Sequence, residues 1–228
     1  MRTSSRQWWV PAGLVLLSLV PVLAGAVRLT ELAGDPEVTV ANARFVASPV
    51  PVVVHVVSAT LYSLLGAFQF VPRLRRHRPR WHRLAGRVLV PAGLLAALSG
   101  LWMTVAYARP PADDVLLTPI RLFFGAAMAA CLVLGVLAIV RRDVPAHRAW
   151  MARGYAIGLG AGTQVLTHLP FVLVGAEPGG LGRVLAMLAG WVVNLAVVEW
   201  ALRRRPAAAR PAPARAPAGP VPVAGRPH

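Results

Sequence analysis

Six stretches of this chain run for about 20 residues each with almost no charge: Trp8–Val27, Pro51–Val71, Val88–Tyr107, Ile120–Val140, Gly154–Gly175 and Val184–Leu202. About 20 apolar residues in a helix cross the hydrocarbon of a bilayer. Lipid offers no partner to backbone N–H and C=O groups, so segments of this kind must be helical. The 228 residues are 57% hydrophobic and 14% charged, too few charges to coat a soluble core of that size. The expected fold is an all-α integral membrane protein of six transmembrane helices, with the second to fifth forming a core four-helix bundle.

Charge fixes an expected orientation. The formal net charge is +16, and all 24 basic residues are arginine, as the codon bias of a GC-rich genome gives. In a soluble protein such a balance would suggest nucleic acid, but here the arginines cluster between apolar runs. The N-terminus, the 72–87 loop, the 141–153 loop and the residues after Leu202 hold 2, 7, 4 and 6 of them. The positive-inside rule places these segments, and both termini, on the cytoplasmic side of a bacterial cell membrane. Arg28, Arg44, Arg109, Arg121 and Arg183 fall in or beside the predicted outer segments. Trp8, Trp9, Trp81, Trp150 and Trp200 fall near the predicted inner interface, where the amphipathic ring prefers to sit.

The first span (1–27) has two readings. It is a retained helix, or a signal segment cleaved after Ala24-Gly25-Ala26 that leaves five spans. Residues 28–50 read as an outer loop with a short interfacial helix and 51–205 as a five-helix membrane domain. Residues 206–228, rich in Pro, Ala and Arg, read as a disordered cytoplasmic tail. Pro79-Arg80-Trp81-His82-Arg83 and Pro145-Ala146-His147-Arg148 enter the third and fifth spans 65 residues apart, suggesting two related hairpins. The lone Cys131 forms no internal disulfide.

Polar groups inside a bilayer are costly, so each implies a partner or a purpose. His55, Ser58, Tyr62, Gly66 and Gln69 share one face of the second span, and Gln164, Thr167 and His168 one face of the fifth. At 1.5 Å per residue, His55 and His168 lie roughly 6 and 10 Å below the outer ends of their spans. His82 and His147 share a second level at the inner end. Two histidines at each of two depths suit a pair of b-type haems, with Met103 as an alternative axial ligand. Gly66, Gly100 and Gly125 would allow a haem close approach. The plainer alternative is that these histidines only hydrogen-bond between helices. Arg83, Arg87, Arg148 and Arg153 are placed to meet anionic lipid headgroups or a small anion. Asn194 is expected to bond across the bundle, and Glu199 to pair with Arg203 four residues on.

Leu65-Gly66-Ala67-Phe68-Gln69-Phe70, His82-Arg83-Leu84-Ala85-Gly86-Arg87 and His147-Arg148-Ala149-Trp150-Met151-Ala152-Arg153 together resemble a widespread bacterial family of predicted multi-pass membrane proteins of unknown function. Trp191, Asn194, Glu199 and Trp200 resemble its last helix, and the likeness covers roughly 45–205. The resemblance implies an inner-membrane helical protein. It marks His55, Gln69, His82, Arg83, Gly86, Arg87, His147, Arg148, Trp150, Met151 and Arg153 as family-type positions. The layout is also similar, at the level of fold, to two-haem b-type cytochromes. Three functions stay open at this point: a haem redox protein, a non-enzymatic carrier or lipid-binding protein with a polar cavity, and an accessory scaffold.

Overall fold

The computed structural model describes residues 8–110, 113–176 and 179–204. The basic residues before the first span and the expected tail at 206–228 lie outside them. The elements are α1 (Trp9–Ala33), α2 (Ala43–Ala47), α3 (Pro49–Ala67) with a 3-10 turn at Phe68–Phe70, α4 (Pro72–His77), α5 (Pro79–Ala106), α6 (Leu117–Val140), α7 (Val144–Gly158), α8 (Gly160–Leu173) and α9 (Gly180–Arg203). Among the described residues there is no strand. α1, α5, α6, α9 and α3 with its 3-10 turn are each long and apolar enough to cross a membrane. α7 and α8, bent by 45° where they meet, pass the same test as a pair, so the candidate spans among the described residues number five, or six with the bent pair counted as one. The chain is an all-α integral membrane protein. Its outward surface agrees, with Leu16, Val27, Phe123 and Val140 each about two-thirds exposed or more. Apolar area of that extent needs lipid against it.

Helix ends depart from the apolar runs in an instructive way. α5 begins at Pro79, well before the run at Val88, because proline at the first position is preorganised for a helix and has no N–H to leave unpaired. Its 28 residues extend about 42 Å, beyond the roughly 30 Å hydrocarbon. His82 and Arg83 therefore ride on a helical stalk. α3, α4 and α7 also start on a proline at their first or second position.

The core is built by α3, α5, α6 and α7, the second to fifth spans in order. Tyr62, Leu89, Phe124, Met128, Leu132, Tyr155 and Ile157 meet there. α1 lies on α3 and α8, and α9 on α7 and α8. Small residues let the helices approach: a Cβ on Gly66 would strike Tyr155, and one on Gly93 or Gly158 would strike Tyr62. Gly66 and Gly125, expected to admit a haem, are instead filled by Tyr155 and Leu101. Gly25, part of the expected cleavage signal, receives Val56 of α3.

The bend at Leu159 has a local cause. A Cβ on Gly160 would lie 2.3 Å from the Trp191 indole of α9, which stacks on Phe124 of α6 with ring centres 4.6 Å apart. Asn194 spans the break: its amide donates to the Ala156 carbonyl (3.0 Å) and its oxygen accepts from the Thr163 hydroxyl (2.7 Å). Helix ends leave carbonyls and N–H groups without intrahelical partners, and in lipid a side chain must supply them.

At Gly162 a Cβ would strike the Leu17 carbonyl of α1. Gly162→Leu is expected to push α1 away and cost about 1–3 kcal/mol, read as a lower Tm in detergent. Gly13→Leu, on the same helix as Leu17 but with nothing within 4 Å of its Cβ, should leave Tm unchanged.

Candidate anion-binding cavity

At the end of the bundle predicted to face outward, α3, α5, α6, α8 and α9, with the end of α7, surround a cavity of about 450 Å³. That is within the usual range for small-molecule sites. Its inner part is apolar: Ala97 of α5, Phe124 and Met128 of α6, Ile157 of α7, Ala161 of α8 and Trp191 of α9 line it. Met128 and Trp191 each stand eleven positions into their helices, about 16 Å deep. The mouth is cationic, with Arg44, Arg109, Arg121 and Arg183 against the single carboxylate of Asp113.

Asp113 organises that mouth. Arg121 of α6 donates to its Oδ2 at 2.6 Å and Arg183 of α9 to its Oδ1 at 2.8 Å. The carboxylate is fully buried, while the two arginine side chains stay 25% and 30% exposed. The fork thus lies behind the guanidiniums and turns them toward the opening. Burial by itself would push the Asp113 carboxyl up. The hydrogen bonds from Arg121 and Arg183 outweigh it and hold the group below the usual carboxylate range.

The rim is ordered by aromatic contacts. The guanidiniums of Arg28 and Arg44 lie over the Phe45 ring, 4.6 and 4.5 Å from its centre, an arrangement favoured by the ring quadrupole. Tyr107 meets Phe45 edge to face and donates its hydroxyl to the Ser48 carbonyl. These ties place α2 at the cavity edge, where Arg44 and Phe45 line it.

Of the residues singled out from sequence, His55, Tyr62, Gln164 and Met103 line this cavity. His55 donates from Nδ1 to the Ala96 carbonyl at 2.9 Å, with Ser99 Oγ at 3.2 Å. Ser58 turns back to the Val54 carbonyl of its own helix. Thr167 donates to the Ala186 carbonyl and Gln164 to that of Met187, so both tie α8 to α9. His168 bonds the Gln164 carbonyl one turn back on its own helix and does not line the cavity. The outer histidine pair is therefore not assembled across this space.

The opposite end carries the other set. His82 and His147 are electrostatic neighbours, together with Arg75, Arg83 and Arg148. His147 donates to the Gly135 carbonyl at 2.8 Å. Gln69 Nε2 and His82 Nδ1 are buried without a hydrogen-bond partner among the described residues. Arg83, Arg87 and Arg148 are exposed. Arg153 departs from the expectation: its guanidinium forks onto Glu199 at 2.6 and 3.1 Å and lies over Trp150. Glu199 therefore answers α7 across the bundle, whereas sequence spacing paired it with Arg203. A bidentate arginine–carboxylate fork is a better hydrogen-bonded arrangement than a surface pair on one helix. Among the described residues no group of three or more His, Cys, Asp or Glu could hold a metal ion.

Sequence reasoning missed the fork. Asp113, Arg121 and Arg183 were visible only as charges beside outer segments. The available signal was their position: arginines set apart from the four arginine-rich segments, at the end of the bundle expected to face outward.

A family model for a predicted membrane protein, DUF2306, matches residues 52–202. The chain belongs to this family of unknown function. The match runs from α3 through α9 and so takes in the core, the broken span and the Asp113 fork, while Arg44 and Phe45 precede it. The likeness read from the three sequence signatures is thereby confirmed. No curated protein and no solved structure matches the chain.

Because the folded pKa of Asp113 is depressed, its contribution to stability is present above the ordinary value of about 3.9 and is lost as pH falls through the lower folded one. Tm should therefore fall below about pH 4 in the native chain. Asp113→Asn should remove that component and cost about 2 kcal/mol, less than a fully buried pair because both arginines are partly solvated. A pH series of thermal unfolding on both proteins checks it.

Proposed function

We propose that this chain is a membrane-embedded, non-enzymatic binding protein or carrier for anions, and that the cavity between α3, α5, α6, α8 and α9 is its site. The observation that carries this reading is the charge of that cavity: four arginines and one carboxylate. A low-dielectric wall strengthens the field of such a cluster. Arg121 and Arg183 are partly exposed and keep N–H groups beyond those given to Asp113, although one nitrogen of Arg121 also meets the Met187 sulfur, so the pair can offer hydrogen bonds to a carboxylate or phosphate.

In this reading the protein sits in the bacterial cytoplasmic membrane with both termini in the cytoplasm, so the cavity opens outward. The arginine-rich end then faces cytoplasmic headgroups. Arg83, Arg87 and Arg148 bind anionic lipid there, each worth about 1 kcal/mol. Replacing all three with Gln should strip co-purified phosphatidylglycerol from the protein. Replacing Arg153 should not, because Glu199 already holds it.

The carrier reading is tested with butyl phosphate on protein in neutral-lipid nanodiscs. The ligand should raise Tm, with an affinity that falls as salt is added. Arg121→Gln and Arg183→Gln should each weaken it tenfold or more, the scale of a lost hydrogen bond to a charged group. A Tm indifferent to the phosphate in the native chain would sink the proposal.

One observation favours the redox reading: His55 and Met103 line the same cavity, and a bond from His55 Nδ1 to a carbonyl leaves Nε2 for a metal. A reduced-minus-oxidised spectrum of protein made with ample haem decides it. Without a Soret band that reading is dropped.

A further inference from the structure

The distribution of polarity inside the cavity narrows the ligand class, given the anion-binding reading on which this step rests. Every charged group that lines it is at the mouth. The inner wall is Ala97, Phe124, Met128, Ile157, Ala161 and Trp191. Of the polar residues set deeper, Gln164 commits its amide to the Met187 carbonyl and His55 its Nδ1 to that of Ala96, which leaves His55 Nε2 and the Tyr62 side chain as the polar features of an otherwise apolar interior. An inorganic ion satisfied at the mouth would leave about 10–12 Å of largely apolar wall behind it, the rise from Arg121 to Met128 and from Arg183 to Trp191, and an apolar wall offers water few partners. A doubly acylated lipid is too large for about 450 Å³. We infer that the ligand is a single-chain amphiphilic anion, its carboxylate or phosphate head on Arg121 and Arg183 and its alkyl chain along Phe124, Met128 and Trp191. Such a molecule carries the same polarity gradient as the cavity. In the bilayer it would lie at the depth where the mouth opens.

Stacked Trp191 and Phe124 then do two things. They hold α9 on α6 across the bend, and they present a flat apolar face to the chain. Asp113 is a positioning residue in this arrangement: it holds both guanidiniums and lowers their joint charge from two to one, while Arg44 and Arg109 add positive charge at the same mouth.

The test is a chain-length series of n-alkyl phosphates, from ethyl to dodecyl, competed against a labelled octyl phosphate on full-length protein in phosphatidylcholine nanodiscs. Affinity should rise about fourfold per methylene, the value of roughly 0.8 kcal/mol per buried CH₂, and then level off when the chain fills the cavity. The matching n-alkanols should bind at least tenfold more weakly. Ala97→Phe, which shortens the apolar end, should move the levelling point to shorter chains. Ala161→Leu serves the same purpose if that variant does not fold. Equal affinity for ethyl and decyl phosphate would overturn the amphiphile and leave a plain anion site standing. An unlimited rise that persists in Arg121→Gln would show bilayer partitioning and overturn it as well. No binding at any length would remove both this inference and the function it rests on.

Discussion

Hydrocarbon cannot hydrogen-bond, and nearly every polar feature of this molecule answers that constraint. The simplest answers are local. Ser18, Ser58, Ser99 and Thr104 each donate to a carbonyl four residues back on their own helix, which satisfies the hydroxyl without recruiting a neighbour. Others reach across. His55 joins α3 to α5, His147 joins α7 to α6, and Tyr155 donates to the Ser63 carbonyl of α3. The densest crossing is between α8 and α9, where Asn194, Gln164 and Thr167 all act. Interhelical bonds of this sort contribute about 0.6–2 kcal/mol each. Their concentration at the bend is what allows a broken helix to persist inside lipid.

The bend borders the cavity, and Trp191 of α9 packs against Gly160 where α8 begins. Two glycines make room, since a side chain at Gly158 would meet Tyr62 and one at Gly160 would meet Trp191. Displaced from the α7 axis, α8 leaves Ile157, Gly158 and Ala161 as wall. Irregular backbone at membrane depth is tolerated where it lines a cavity, and ligand sites in transporters are commonly built on discontinuous helices.

How much of this was legible follows from which forces leave a local trace. Span number and the four-helix core depend on apolar length and periodicity, which the residues display directly. The pairing of Glu199 with Arg153 does not: i,i+4 spacing pointed to Arg203, and only the packing of α7 on α9 brings Arg153 within 2.6 Å. His55 and His168 were placed at similar depth by counting residues, yet depth says nothing of azimuth. The bend at Leu159 and the bond to Gln164 turn His168 onto its own helix. Gln164 and Thr167 read as cavity polarity, while one reaches the cavity and both serve as ties. The glycines were read as room for a cofactor, whereas aromatic and aliphatic side chains occupy it.

The Asp113 fork was hidden for a more interesting reason. Outer arginines are unfavourable for insertion, and a count by loop treats them as noise against the 19 on the other side. In the fold, three of the five minority arginines, Arg44, Arg121 and Arg183, lie around one carboxylate at one opening, with Arg109 beside them. Packing alone would not retain them, because a buried ion pair is on balance no more stabilising than apolar residues of similar volume. Asp113 neutralises only one charge, so the group keeps a positive excess that no described side chain at the mouth offsets. The proposed function rests on this residual field, held at the edge of a largely apolar cavity by residues that gain little stability from being there.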